Sequence, residues 1–143
     1  MSEFSERLSG LIFEHGLNRK LLAKNVGINA SCITHYLQDK RIPTVKSLIL
    51  LAEYFNCSTD FLLGREEENK TLTFKPCPPF SEQIAFVAKH FCSSFYSFYH
   101  ALKIPESTFF EWKNGSSQPT LESIIKIADH FDCRVDFILG REN

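Results

Sequence analysis

Apolar residues recur at helical spacing along most of the chain, and polar or glycine breaks divide that pattern into short segments. Phe4, Leu8, Leu11 and Ile12 lie three and four apart between Ser2, a residue type that caps helix starts, and Gly16, which can close a helix in a left-handed conformation. This spacing predicts a first helix over Phe4 to His15. Asn18 is placed to cap a second of about nine residues, which buries Leu21, Leu22 and Val26 and stops at Gly27. Asn29 caps a third running to about Gln38, with Ile33 and Tyr36 facing inward and Ala30, Ser31, Thr34 and His35 facing out. Pro43 and Thr44 open a fourth helix, whose single apolar stripe is Leu48, Leu51, Ala52 and Phe55. Ser58 caps a short fifth through Phe61 and Leu62; Asp60 in its first turn suits the helix dipole, and Gly64 ends it.

After Arg65 the pattern changes. The stretch REEENKTLTFKPCPP is acidic and polar, then alternates in TLTF as a strand would, then carries three prolines. It reads as an inter-domain linker able to span roughly 50 Å if extended, with TLTF as a possible edge strand. Beyond it the first pattern returns without a gap, displaced by seventy-six positions. Phe4-Ser5-Glu6 falls on Phe80-Ser81-Glu82, Ile28 on Ile104, Ser31 on Ser107, Pro43-Thr44 on Pro119-Thr120, Phe55 on Phe131 and Cys57 on Cys133. Asp60-Phe61 meets Asp136-Phe137, and Leu63 to Glu66 meets Leu139 to Glu142. A period of this kind marks repeated units. The expected fold is all-α: a five-helix unit over 1–65, a linker over 66–79, and a second copy over 80–143.

In each copy the second and third helices are joined by a tight turn, the geometry of a helix-turn-helix. The run LAKNVGINASCITHYLQDKRIPT, with the later LAEYFNCSTDFLLG, resembles the phage Cro/repressor helix-turn-helix family, also called the XRE family. FFEWKNGSSQPTLESIIKIADHFDCRVDFILG resembles it as well. The resemblance implies two tandem lambda-repressor-like domains in a DNA-binding regulator whose third helix enters the major groove.

Charge separates the two copies. The net charge of −1 over 143 residues argues against a generally basic coat. Locally, however, Arg19, Lys20, Lys24, Lys40, Arg41 and Lys46 stand against a single acid, Asp39, and flank helices two and three, where phosphates would lie. By carry-over from the family pattern the groove-facing residues are Ala30, Ser31, Thr34 and His35. Ala30 suits a thymine methyl, Ser31 and Thr34 a base or phosphate, and His35 a guanine edge. With the caps Asn18 and Asn29, these complete the expected DNA-binding set. In the second copy Phe95, Tyr96, His100, Ser116 and Ser117 replace Arg19, Lys20, Lys24, Lys40 and Arg41, and the groove-facing set becomes Glu106, Ser107, Phe110 and Glu111. Carboxylates are repelled by phosphates. Phe95, Tyr96 and Phe110 rimmed by Glu106 and Glu111 suit a protein-docking surface, with ordinary core packing of the aromatics as the alternative.

Other chemistry is sparse. Cys57 and Cys133 at equivalent positions read as small buried core residues, and the odd number of five cysteines, with no Cys-x-x-Cys pair, suits reduced thiols. His130 with Cys133, and His90 with Cys92, have metal-like spacing, but a four-ligand zinc set is not evident. No phosphate loop, nucleophile elbow or paired-carboxylate constellation marks an enzyme, and no cofactor or small-molecule ligand is called for. The polar, acidic start MSEFSERL lacks signal-peptide features and no long apolar run exists, so a cytoplasmic protein with no membrane partner is expected. The expected function is a transcriptional regulator, a repressor that binds double-stranded DNA as a homodimer. The alternative is a protein-interaction adaptor, an antitoxin-like or anti-repressor module with weak or lost DNA binding.

Overall fold

Ten α-helices, and no strands, occur among the described residues of the computed structural model, which are 2–69 and 73–142. Half of the TLTF expectation, Thr71 and Leu72, lies with Lys70 outside the described residues; Thr73 and Phe74 belong to no strand. The chain divides into two units, Met1–Leu72 and Thr73–Asn143.

The first unit contains α1 (Glu3–Glu14), α2 (Arg19–Val26), α3 (Ala30–Leu37), α4 (Val45–Phe55) and α5 (Thr59–Leu62). Each start is fixed by a short polar side chain that accepts a hydrogen bond from an otherwise orphan helix N–H: Ser2 from Ser5, Asn18 from Leu21, Asn29 from Ser31, Thr44 from Ser47 and Ser58 from Phe61. Leu8, Leu22, Ile33, Leu48, Leu51 and Leu62 meet in the core with no exposed surface. Each contributes about 1.5–3 kcal/mol by leaving water. Leu21 does not join them. It is 42% exposed, and Val26 is half-buried, because the inward face of α2 carries Leu22 and Ala23 and turns the neighbouring leucine outward.

Three contacts hold α1 against α3 and α5. Ser5 Oγ donates to the Leu37 carbonyl oxygen at 2.9 Å. The Phe4 and Tyr36 rings meet edge to face at 5.7 Å. Arg7 Nη1 donates to the carbonyl oxygens of Phe61 and Glu66 at 2.9 and 2.8 Å, and its guanidinium lies 4.3 Å from the centre of the Phe61 ring. Glu66, the first residue of the expected linker, is thus fastened to the first unit.

The second unit contains α6 (Phe80–Phe91), α7 (Phe95–Ala101), α8 (Glu106–Asn114), α9 (Leu121–His130) and α10 (Val135–Leu139). Its core is more aromatic: Phe98 and Phe109 are fully buried where the first unit has Leu22 and Ile33. Several contacts recur at the seventy-six-residue spacing. Phe80 meets Trp112 edge to face at 6.2 Å, as Phe4 meets Tyr36. Phe91 stacks on Phe131 at 4.5 Å, where His15 meets Phe55 at 5.0 Å. Gln83 Nε2 donates to the Phe137 carbonyl oxygen at 3.1 Å, the counterpart of Arg7 with Phe61. Asp60 accepts from Arg65 at 3.0 Å and Asp136 from Arg141 at 2.8 Å. Left-handed backbone recurs at Asn56 and Asp132, and at Gly64 and Gly140.

The segment before α6 is fastened to its own unit. Lys75 N–H donates to the Arg141 carbonyl oxygen at 2.8 Å, and the Arg141 guanidinium lies 4.2 Å from the centre of the Phe74 ring. Of the paired cysteines, Cys57 is buried but Cys133 only half-buried, although both follow a left-handed residue.

Candidate nucleic-acid interface

The exposed edge of α2 and α3 is set by two asparagine caps and a left-handed glycine. Asn18 Oδ1 accepts from Leu21 N–H at 2.8 Å, which leaves its amide NH2 as the group available to a phosphate. Gly27, at φ 82, closes α2, and its N–H bonds to the Ala23 carbonyl oxygen at 2.9 Å. Asn29 Oδ1 then accepts from both the N–H and the hydroxyl of Ser31, at 2.9 and 2.8 Å. The Ser31 hydroxyl proton is committed to this cap, so toward a ligand Ser31 offers an acceptor.

Ile33 and Tyr36 are buried, which orients the rest of α3. Ala30 and Ser31 are exposed, whereas Thr34 and His35 are half-buried. One residue on this face was not picked out by the sequence pattern. Gln38, the C-cap, is exposed and continues the stripe of Ser31 and Thr34 at positions i, i+3 and i+7. Its amide has both a donor and an acceptor, the pairing that reads adenine. The signal was the i+7 spacing, obscured because the helix was expected to end there.

Past α3 the chain turns through Asp39, at φ 59, and Lys40 N–H reaches back to the His35 carbonyl oxygen at 2.9 Å. This Schellman-type closure projects Lys40 and Arg41 beside the exposed face of α3. Arg41 Nη1 lies 3.6 Å from Cys32 Sγ, so its guanidinium lies against α3. Arg19, Lys20, Lys24, Lys40 and Arg41 are all exposed, and among the described residues none is held in an ion pair. Asp39, the one acid in this stretch, is turned to another use. Its carboxylate accepts from the Ser2 N–H at 2.8 Å and the Ser2 hydroxyl at 2.5 Å, and these bonds hold its pKa below the ordinary carboxylate value.

The equivalent face of the second unit is mixed. Tyr96 is 60% and Phe110 38% exposed, with Glu106 and Glu111 exposed beside them. Phe95 is half-buried against Phe109, and the ammonium groups of Lys89 and Lys113 lie 5.6 and 5.3 Å from its ring centre. Two of the three expected docking aromatics therefore face solvent, and the third is covered by lysines. His130 is exposed and its ring meets Phe131 at 4.8 Å. Burial pushes the Cys92 thiol up.

Residues 11–62 match the model of a family described as Helix-turn-helix. The HTH-type transcriptional regulator ImmR of Bacillus subtilis (strain 168) is 34% identical over 55 residues, which cover 38% of this chain and 43% of that relative. The chain thus spans less than half the length of the curated relative it matches. No solved structure matches it significantly. No helix among the described residues is long and apolar enough to cross a membrane. The matched stretch, residues 11–62, holds the two asparagine caps, α3 and the basic loop.

Proposed function

We propose that the chain is a sequence-specific DNA-binding transcriptional regulator that represses by occupying an operator as a homodimer, with α3 of the first unit in the major groove. The observation that carries this reading is that Arg19, Lys20 and Lys24, which precede α3 in the chain, and Lys40 and Arg41, which follow it, are all exposed. In this reading they meet the phosphates on either side of the groove. The likeness to a relative named as an HTH-type transcriptional regulator supports it. Dimerisation follows from the number of contacts: one module with about four to six phosphate contacts binds weakly at physiological salt, and a second half-site multiplies the affinity.

In the same reading the second unit is a tandem copy of the domain whose former DNA face has become a protein contact. The exposure of Tyr96 and Phe110 beside Glu106 and Glu111 favours this, and it also favours the second reading, a protein-interaction adaptor in which DNA binding is weak. Titrating DNA flanking the protein's own gene at several salt concentrations separates them. A regulator loses affinity steeply with salt, and replacing Lys40 and Arg41 with alanine lowers the slope of log K on log salt by about 2. Binding that survives this double change but is abolished by Lys113→Ala would put the interface on the wrong unit. Association that is indifferent to salt and to Lys40 and Arg41 selects the adaptor.

A further inference from the structure

The second unit carries a recess of about 370 Å3 at the α7–α8 turn, lined by Tyr96, Tyr99, His100, Lys103, Ile104 and Glu106 among others. It is a shallow recess open to solvent, so a ligand there would stay partly exposed. Three rings line one side: Tyr96 lies 4.2 Å from His100, tilted by 39°, and 5.6 Å from Tyr99, edge to face, centre to centre. Tyr96 and His100 are exposed, so a planar group can be laid against them. Ile104 adds a half-buried apolar edge.

Two opposite charges border this side. Lys103 and Glu106 are both exposed, and among the described residues neither forms an ion pair, with the other or with any third group. Burial, and then the charge of Glu106, push the Tyr99 phenol up. The recess therefore presents a cation, a carboxylate and a phenol around an aromatic floor.

The backbone supplies a second observation. Lys103 has φ 58, in the left-handed region that disfavours a side chain, and the position seventy-six residues earlier in the same turn is Gly27, at φ 82. Glycine would relieve the strain there. A lysine held at this cost to stability, beside an open recess, points to use of its ammonium group.

We propose that this recess binds a free amino acid with an aromatic side chain. Lys103 would pair with the α-carboxylate, Glu106 would accept from the α-ammonium, and Tyr96 and His100 would stack on the side chain. No group is transferred; this is a binding site, independent of DNA binding by the first unit, and it shares Tyr96 and Glu106 with the protein contact proposed above, so amino acid and protein partner would compete for it.

The test uses the full chain and thermal-shift and calorimetric titration with L-phenylalanine and L-tryptophan at millimolar concentration. Either should raise the melting temperature, while the N-acetyl and the amide derivatives, each lacking one charge, should not. Glu106→Gln should weaken binding by about tenfold or more, the worth of one charge-assisted hydrogen bond. Lys103→Gly is the decisive variant: it should leave the free protein at least as stable and abolish the ligand-induced shift. The proposal is overturned if neither amino acid binds, if the neutralised derivatives bind equally well, or if binding persists in Lys103→Gly and Glu106→Gln.

Discussion

Arg7 Nη1 donates to the Phe61 carbonyl oxygen at 2.9 Å across fifty-four residues of sequence, and the contact joins the first helix of its unit to the last. The same guanidinium bonds the Glu66 carbonyl oxygen and covers the Phe61 ring, so one side chain closes the bundle in three ways. Carbonyls at the end of a short helix have no partner within it, and a cation that supplies one there also favours the negative end of the helix. In the second unit Gln83 makes the corresponding bond to Phe137 without a charge.

The difference sets an order of stabilities. Arg7→Ala should cost about 2–3 kcal/mol, from the loss of charged hydrogen bonds and the cation–π contact. Arg7→Gln, which copies the second unit, should keep one bond and cost about half as much. Urea unfolding followed by circular dichroism ranks the two; equal losses would mean that the Phe61 bond contributes nothing.

Asp39 makes stability depend on pH in a definite direction. Ser2 holds its folded pKa below the unfolded value near 3.8, so the carboxylate binds protons less readily in the folded chain. The stabilisation is present above that unfolded value and disappears as pH falls through the depressed folded one. Asn tolerates the left-handed backbone at this position, so Asp39→Asn removes the charge without new strain. It should lower stability at pH 7, and the difference from the natural chain should shrink as the pH falls below 3.8 and through the depressed folded pKa. Ser2→Ala should move the NMR titration midpoint of Asp39 upward.

Helix starts were legible in the sequence because their causes are local: Ser2, Asn18, Asn29, Thr44 and Ser58 each act on an N–H two or three residues away. The exposed placement of Ala30, Ser31 and the basic loop followed from the same periodicity. What escaped depends on distant partners. Leu21 and Leu22 are equally apolar, and only the packing of α2 on α3 and α4 decides which is buried. Ser2 with Asp39, Arg41 with Cys32 and Lys89 with Phe95 join residues whose proximity no local pattern encodes.

Gly64 and Gly16 share positive φ but differ in surroundings. A Cβ on Gly64 would lie 2.3 Å from Glu3 Cβ, whereas one on Gly16 would meet nothing within 4 Å. Gly16→Ala should therefore cost only the left-handed penalty, about 1–2 kcal/mol. Gly64→Ala adds a clash with the first turn of α1 and should cost clearly more, measured as a further drop in the midpoint of thermal unfolding.

For the proposed DNA binding, α3 carries the sharpest expectation. Of the residues on its exposed stripe, Ala30, Ser31, Thr34 and His35 offer at most single contacts, and the Ser31 hydroxyl proton is held by Asn29. Gln38 is exposed on the same stripe and has an amide able to bond adenine at two atoms. Gln38→Ala should cost about 1–3 kcal/mol against the preferred operator and relax the preference at one base pair, while leaving the salt slope unchanged. Lys24→Ala should do the opposite, weakening binding to all sequences alike and reducing the slope by about 1. Binding measured against a panel of single-base operator variants distinguishes the two. If Gln38→Ala weakens every sequence equally, the side chain contacts the backbone, and specificity must arise from His35 or from the shape of the DNA.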